Sequence, residues 1–150
     1  MNYIIDGYNL IGKITSITFK DPEKENKCIS FIEKFNTQKK QKFTIVFDGK
    51  GPQNTYPSYQ YQGKTSVIFT DNEESADDFI IRKIEKAAHP SNYCVVSSDH
   101  AILLAAKKLK IKRLTSEEFL KQLLHREERE EEKVDMKETN IDYWLEKFND

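Results

Sequence analysis

Two rhythms of apolar and polar positions organise this chain. Short continuous apolar runs that end in polar or acidic residues alternate with longer stretches whose apolar residues recur near the helical period. Tyr3 to Asp6, in "NYIIDGYNLI", reads as a first strand, apolar throughout in the manner of a buried parallel strand. "KFTIVFDGKG" (42–51), "TSVIFTD" (65–71) and "NYCVVSSD" (92–99) predict a second, third and fourth strand, and Ile111 to Leu114 a short fifth. Between them, Cys28, Ile29, Ile32 and Phe35 predict a helix over about 22–37, which Asp21-Pro22 would open. "SADDFIIRKIEKAAH" (75–89) reads as a helix stopped by Pro90, and "HAILLAAKKLK" (100–110) as another. "GPQNTYPSYQYQG" (51–63) has no period and reads as a long loop. Thr115 and Glu118 form the T-x-x-E pattern of a capping box, opening a helix to about His125 that the charged run 126–133 extends or frays. Ile141, Trp144, Leu145 and Phe148 fall at i, i+3, i+4 and i+7, which predicts a C-terminal amphipathic helix.

Strands alternating with helices give an α/β fold with a mainly parallel sheet of about five strands and helices on both faces. In such open sheets ligands bind beyond the carboxyl ends of the strands, where the strand order reverses.

Composition narrows the classes. A chain of 150 residues fits one domain and can bury a core without staples. The formal net charge of −1 argues against a protein that coats nucleic acid non-specifically. The basic runs "KKQK" (39–42) and "KKLKIKR" (107–113) and the acidic "REEREEEK" (126–133) read as solvated faces. Cys28 and Cys94 lie in apolar contexts without metal-type spacing, which fits reduced core thiols. The strand-like start and the lack of a run long enough to span a bilayer point to a cytoplasmic protein with no membrane partner.

The chemistry lies in the acids. Asp6, Asp48, Asp71 and Asp99 each end a predicted strand, so a parallel sheet places them on one edge. Aspartates on a shared rim repel one another unless a cation sits among them, and oxygen-only donors suit Mg2+ or Mn2+. Asp71, beside Asn72, has turn chemistry to explain it, and Asp48-Gly49 can be read either way. Asp6 and Asp99 follow apolar strands with little turn chemistry around them. Asp77 shares a helix face with Ile80, Ile81 and Ile84, where an acid is costly unless paired. Asp78 instead stacks with Arg82 at i+4 and suits a first helical turn. Asp6, Asp77 and Asp99 around a metal would serve phosphodiester hydrolysis, with Asp48 or Asp78 orienting water or holding a second ion. Neither a Ser-His-Asp nor a Cys-His pattern competes, and "GKGP" (49–52) is too short for a phosphate-cradling glycine loop.

"IIDGYNLI", "VFDG", "SADDFI" and "VVSSDHAI", in this order and at these separations, resemble the NYN branch of the PIN-like nucleases, and the bacterial YacP-like family in particular. The resemblance covers roughly residues 2–123 and leaves the tail from about 126 as a separate charged, helical extension, 126–150, behind a nuclease domain of 1–125. It implies a three-layer α/β/α domain, a divalent-metal site of aspartates and endoribonuclease activity on mRNA, in at least one relative in association with the ribosome. The family's site falls on Asp6, Asn9, Asp77, Asp78 and Asp99. Asn9 would orient a ligand or a carboxylate.

Tyr56, Tyr59 and Tyr61 alternate within the 51–63 stretch, with Lys50 and Lys64 at its ends, so aromatic faces and lysines are available for unpaired bases and phosphates. The bland reading packs these tyrosines on the sheet edge. Two other function classes compete with the nuclease. One is an RNA- or ribosome-binding adaptor with a degenerate site. The other is a phosphoacceptor domain, which needs a second acid after strand one and a lysine ending strand five, where this chain has Gly7 and Thr115.

Overall fold

A computed structural model describes residues 1–49, 58–71 and 73–129. Lys50, Tyr56 and the C-terminal amphipathic pattern around Trp144 lie outside the described residues. The elements run β1 (Asn2–Asp6), α1 (Gly7–Ile11), α2 (Lys24–Lys34), β2 (Lys42–Phe47), β3 (Ser58–Gln62), β4 (Thr65–Phe69), α3 (Ala76–Glu85), β5 (Tyr93–Val96), α4 (His100–Lys108) and β6 (Lys112–Leu114). A further helix, α5, occupies residues 116–129. Met1–Phe119 form one compact unit; the second, Leu120–Asp150, is described over 120–129, which are helical.

Among the described residues the sheet has six strands in the order β3-β4-β2-β1-β5-β6. The β4-β2-β1-β5-β6 neighbours are all parallel, and β3 pairs antiparallel at the edge. From β1 the chain builds outward through β2 and β4, then crosses back to place β5 on the other side of β1. The order therefore reverses between β1 and β5, and the crevice beyond their carboxyl ends is the switch point.

Alternation along β1 explains the layers. Ile4 faces a core with Val46, Ile68, Val95 and the apolar faces of α3 and α4 (Phe79, Ile80, Ile84, Ile102, Ala106). Tyr3 points the other way and packs edge-on against Phe43 and obliquely on Phe119 of α5, with ring centroids 5.3 and 5.7 Å apart. Both faces are covered, so β1, β2 and β5 need continuous apolar sequence rather than alternation.

The structure differs from the sequence expectation at three elements. The residues 58–62, read as loop, are a strand, because a turn at Gly63 (φ +59°) folds Ser58–Gln62 back on Thr65–Phe69. All five residues of β3 are exposed, so no apolar alternation marks it. The first long helix is Lys24–Lys34, shorter than 22–37, since Asp21 accepts the Glu23 N–H in a turn ahead of it. The short α1 was hidden inside the D-G-Y-N stretch. The capping box is formed as expected: Glu118 N–H donates to Thr115 Oγ1 (3.1 Å) and Thr115 N–H to Glu118 Oε1 (3.0 Å). Among the described residues no helix is long and apolar enough to cross a membrane.

Candidate active site

Asp6 is the last residue of β1 and 7% exposed. Its Oδ2 accepts a 2.9 Å hydrogen bond from Ser97 Oγ, just past β5. Asp6 directly precedes α1, and the Asn9 backbone N–H in that first turn also favours its charged form. Burial pushes its pKa up to about 6; the Ser97 hydrogen bond opposes this, and the charges of Asp77 and then Asp99 add to it. Of the three acids ranked first from the sequence, Asp6 thus feels the other two.

Gly7 follows Asp6 for reasons of space. Its backbone is not left-handed, but a Cβ there would collide with the Phe47 ring, which packs at a tilt against Tyr8 with 5.1 Å between centroids. Removing the side chain lets α1 start directly on the sheet, and this turn swings Asn9 back over the crevice. Asn9 Oδ1 accepts from the Ser98 backbone N–H (2.9 Å) and from Ser116 Oγ (2.6 Å). Ser98 Oγ in turn accepts from Ser116 N–H (3.2 Å) and donates to Glu117 Oε2 (2.9 Å). Glu117 also pairs with Lys13 at 2.9 Å, and that lysine, ahead of Ser98, lowers its pKa to about 2. One asparagine therefore ties the β1–α1 turn to the β5–α4 turn and to the start of α5. Its role here is to hold the two walls of the crevice together.

Asp77 sits in the first turn of α3, half-buried beside Ala76, while Asp78 is exposed. This matches the periodicity that set Asp77 above Asp78. The partner expected for Asp78 is otherwise engaged: Arg82 makes a two-pronged pair with Glu74, at 2.8 and 2.9 Å. Ser75 Oγ caps α3 by accepting the Asp78 N–H (3.1 Å).

Asp99 has more local work than the sequence indicated. Its Oδ1 caps α4, accepting from Ala101 N–H (2.9 Å) and Ile102 N–H (3.2 Å). Asp71 Oδ1 accepts from Glu73 and Glu74 N–H groups, the turn role expected for it. Asp48, half-buried after β2, acts electrostatically on Tyr8, whose pKa is raised by burial, by its 2.8 Å bond to Glu25 and by these acids. The structure thus puts Asp77 and Asp99 within electrostatic reach of Asp6 and leaves Asp78 exposed, while Asp48 acts on Tyr8. Tyr59 and Tyr61 are 64% and 79% exposed on β3, and Lys64 is exposed in the adjoining turn. They do not pack their rings away, which removes the bland reading for these two tyrosines.

Sequence reasoning passed over Ser97, Ser98, Ser116 and Glu117. "VVSSD" carried a usable signal: two small hydroxyl residues between an apolar strand and an acid are what a crowded crevice needs to satisfy its polar groups. Glu117, on a helix surface, carried none.

Comparison with known proteins places this geometry. The family model for the YacP-like NYN domain matches residues 3–149, running past residue 123, where the motif resemblance ends. Two solved structures share the fold. The crystal structure of Rae1 (YacP) from Bacillus subtilis is 24% identical with a TM-score of 0.69, over 89% of this chain and 79% of that one. A tryptophan-to-leucine mutant of the same protein gives 21% identity and a TM-score of 0.70, over 89% and 80%. No curated protein sequence matches the chain.

Proposed function

Because the chain belongs to the YacP-like NYN domain family, with the nuclease-like, RNA-directed function of that family, we propose that it is a divalent-metal-dependent endoribonuclease acting on mRNA, with the ribosome as a partner. The observation that carries this reading is the convergence on Asp6: a buried carboxylate at the switch point, raised by burial and by two further acids. Such an arrangement is unfavourable by itself and is relieved by a cation.

Whether the residues fit Mg2+ or Mn2+ can be judged from the donors. All three are carboxylates, which suits these hard ions. As they stand, no group of three or more His, Cys, Asp or Glu among the described residues is close enough to hold an ion, and Asp99 Oδ1 is occupied by its cap. Asp6 and Asp77 are therefore the primary holders in this reading, and Asp99 contributes charge from its capping position. A bound ion would supply Lewis-acid polarisation of the scissile phosphate.

The chain's own residues do the rest. Ser97 fixes one oxygen of Asp6. Asn9 sets the width of the crevice. Burial holds the Asp6 pKa at about 6 without a cation, and an ion held there would favour its charged form. The exposed Tyr59, Tyr61 and Lys64 offer faces and charge to single-stranded RNA.

The test is to add wild-type protein, Asp6→Asn and Asp77→Asn to naked mRNA and to a translating extract, with Mn2+ or Mg2+ and with EDTA, and to map new 5′ ends. Cuts that need the ion and vanish in both variants are expected. Cuts confined to the translating sample would carry the ribosome as partner. Undiminished cutting by either variant overturns the site, and RNA binding with no cuts under any condition replaces the enzyme with an adaptor.

A further inference from the structure

The opposite edge of the sheet carries a second concentration of charge, of the other sign. A cavity of ≈ 390 Å³ opens there, lined by the first residues of the central strands, Asn2, Lys42 and Tyr93, together with Lys39, Lys64, Lys83 and Tyr61. Its size falls within the about 300–1,000 Å³ of small-ligand sites. Asn2 pairs with both Lys42 and Tyr93 in the sheet register, so the cavity lies at the amino ends of β1, β2 and β5, while the acids lie at the carboxyl ends. The lining extends inward as far as Ile4, two residues before Asp6, so about 7 Å of β1 separates its inner end from the acid rim.

Four lysines reach this cavity from three separate places: the α2–β2 connection and start of β2 (Lys39, Lys42), the hairpin turn (Lys64), and the last turn of α3 (Lys83). Among the described residues no Asp or Glu lines it. None of the four lysines forms an ion pair among the described residues, although the molecule has 25 acids to 24 basic residues. Glu33, the acid nearest the hairpin turn in the hydrogen-bond pattern, is committed to the Lys64 N–H and to Thr65 Oγ1. Lysines drawn together without counter-charges repel one another, and an anion relieves them. Two tyrosines share the lining, one half-buried (Tyr93) and one 79% exposed (Tyr61). Unpaired lysines meet phosphate, and tyrosine faces stack on bases.

We propose that this cavity is a nucleotide-phosphate binding site, separate from the acid rim and independent of divalent metal. Its ligand is either a free nucleotide or one nucleotide of a single-stranded RNA held at the far side of the domain from the cut. The site does not depend on the acid rim being catalytic.

The test is fluorescence anisotropy of a labelled oligouridylate with the full chain in EDTA across a salt series. It compares wild type, Lys42→Gln/Lys83→Gln, Tyr61→Leu, and the equal-charge control Lys107→Gln/Lys108→Gln, whose residues are exposed at the end of α4. The cavity double variant is expected to weaken binding about tenfold and to flatten the log K against log salt slope by about 1.4, at about 0.7 per lost lysine contact on a single strand. Tyr61→Leu, which keeps an apolar side chain, is expected to cost about fivefold or more. The control changes binding less than about twofold, and melting curves confirm that all variants fold. Displacement by millimolar uridine monophosphate assigns the site to free nucleotides; displacement by unlabelled RNA alone assigns it to the chain. Equal loss in the cavity and control variants, or equal displacement by polyglutamate, overturns the proposal, since charge alone would then account for binding. Because EDTA is present throughout, failure here leaves the cleavage reading standing, and failure of cleavage leaves this one.

Discussion

Asp6 concentrates the energetics of the site in one group. With a folded pKa of about 6 against 3.8 unperturbed, its ionisation is costly in the folded chain. Below pH 3.8 both states are protonated and nothing is lost. As pH rises through about 6 the folded state loses up to about 3 kcal/mol, at about 1.36 kcal/mol for each pH unit between the two pKa values. Asp6→Asn removes the charge but turns an amide toward donors, so we expect a net stabilisation of about 1–2 kcal/mol at pH 7.5 in EDTA and none at pH 3.5, read by urea unfolding. A variant no more stable than wild type at pH 7.5 would show that the burial of Asp6 is overstated. Asn9→Ala has the opposite sign. It leaves the Ser98 N–H and the Ser116 hydroxyl without their acceptor and should lower stability by about 1–3 kcal/mol at any pH. The same urea unfolding checks it; an unchanged midpoint would mean that water replaces the amide without loss. At this scale the sequence disclosed Asp6 and Asp77, because an acid that conflicts with an apolar pattern is visible without a structure. It did not disclose the Asn9–Ser98–Ser116 knot, whose members are 89 and 107 residues from Asn9 and meet only through the fold.

Elements explain why the site is where it is. Strand β1 can pass directly into α1 only because Gly7 leaves room for the Phe47 ring. Gly7→Ala should therefore cost about 1–3 kcal/mol as an overpacked contact, and cleavage should fall with it because the turn that carries Asn9 must shift. Pairing the substitution with Phe47→Leu, which frees space, should restore part of the loss in a double-mutant cycle; additive losses would reject the steric cause. The capping box that starts α5 is worth about 1 kcal/mol, so Thr115→Ala should lower the melting midpoint by a few degrees. Elements with an apolar run or period were legible: all five parallel strands, α2, α3, α4 and the start of α5. The fully exposed β3 was not, because an edge strand with polar residues on both faces has no burial pattern to display. The short α1 was not, because a single turn supported by tertiary contact needs no helical period of its own.

At the scale of the whole molecule, the sheet has an acid pole and a basic pole. The five parallel strands place their carboxyl ends on one edge, and the reversal between β1 and β5 opens a crevice there. The fold class and the acid edge could be read from the alternation of strands and helices. The strand order, the capping role of Asp99 and the basic cavity at the other edge could not, since each depends on which segments become neighbours. Of the two acids in "SADD", only the half-buried Asp77 faces the rim, and this contrast isolates the central claim. The most direct test is the single-turnover cleavage rate of RNA in saturating Mn2+ for wild type, Asp77→Asn and Asp78→Asn, adjacent residues with the same change of charge. We expect Asp77→Asn to lose more than about a hundredfold and Asp78→Asn less than about tenfold. Equal rates in the two variants, or the greater loss at Asp78, would contradict the account of the rim.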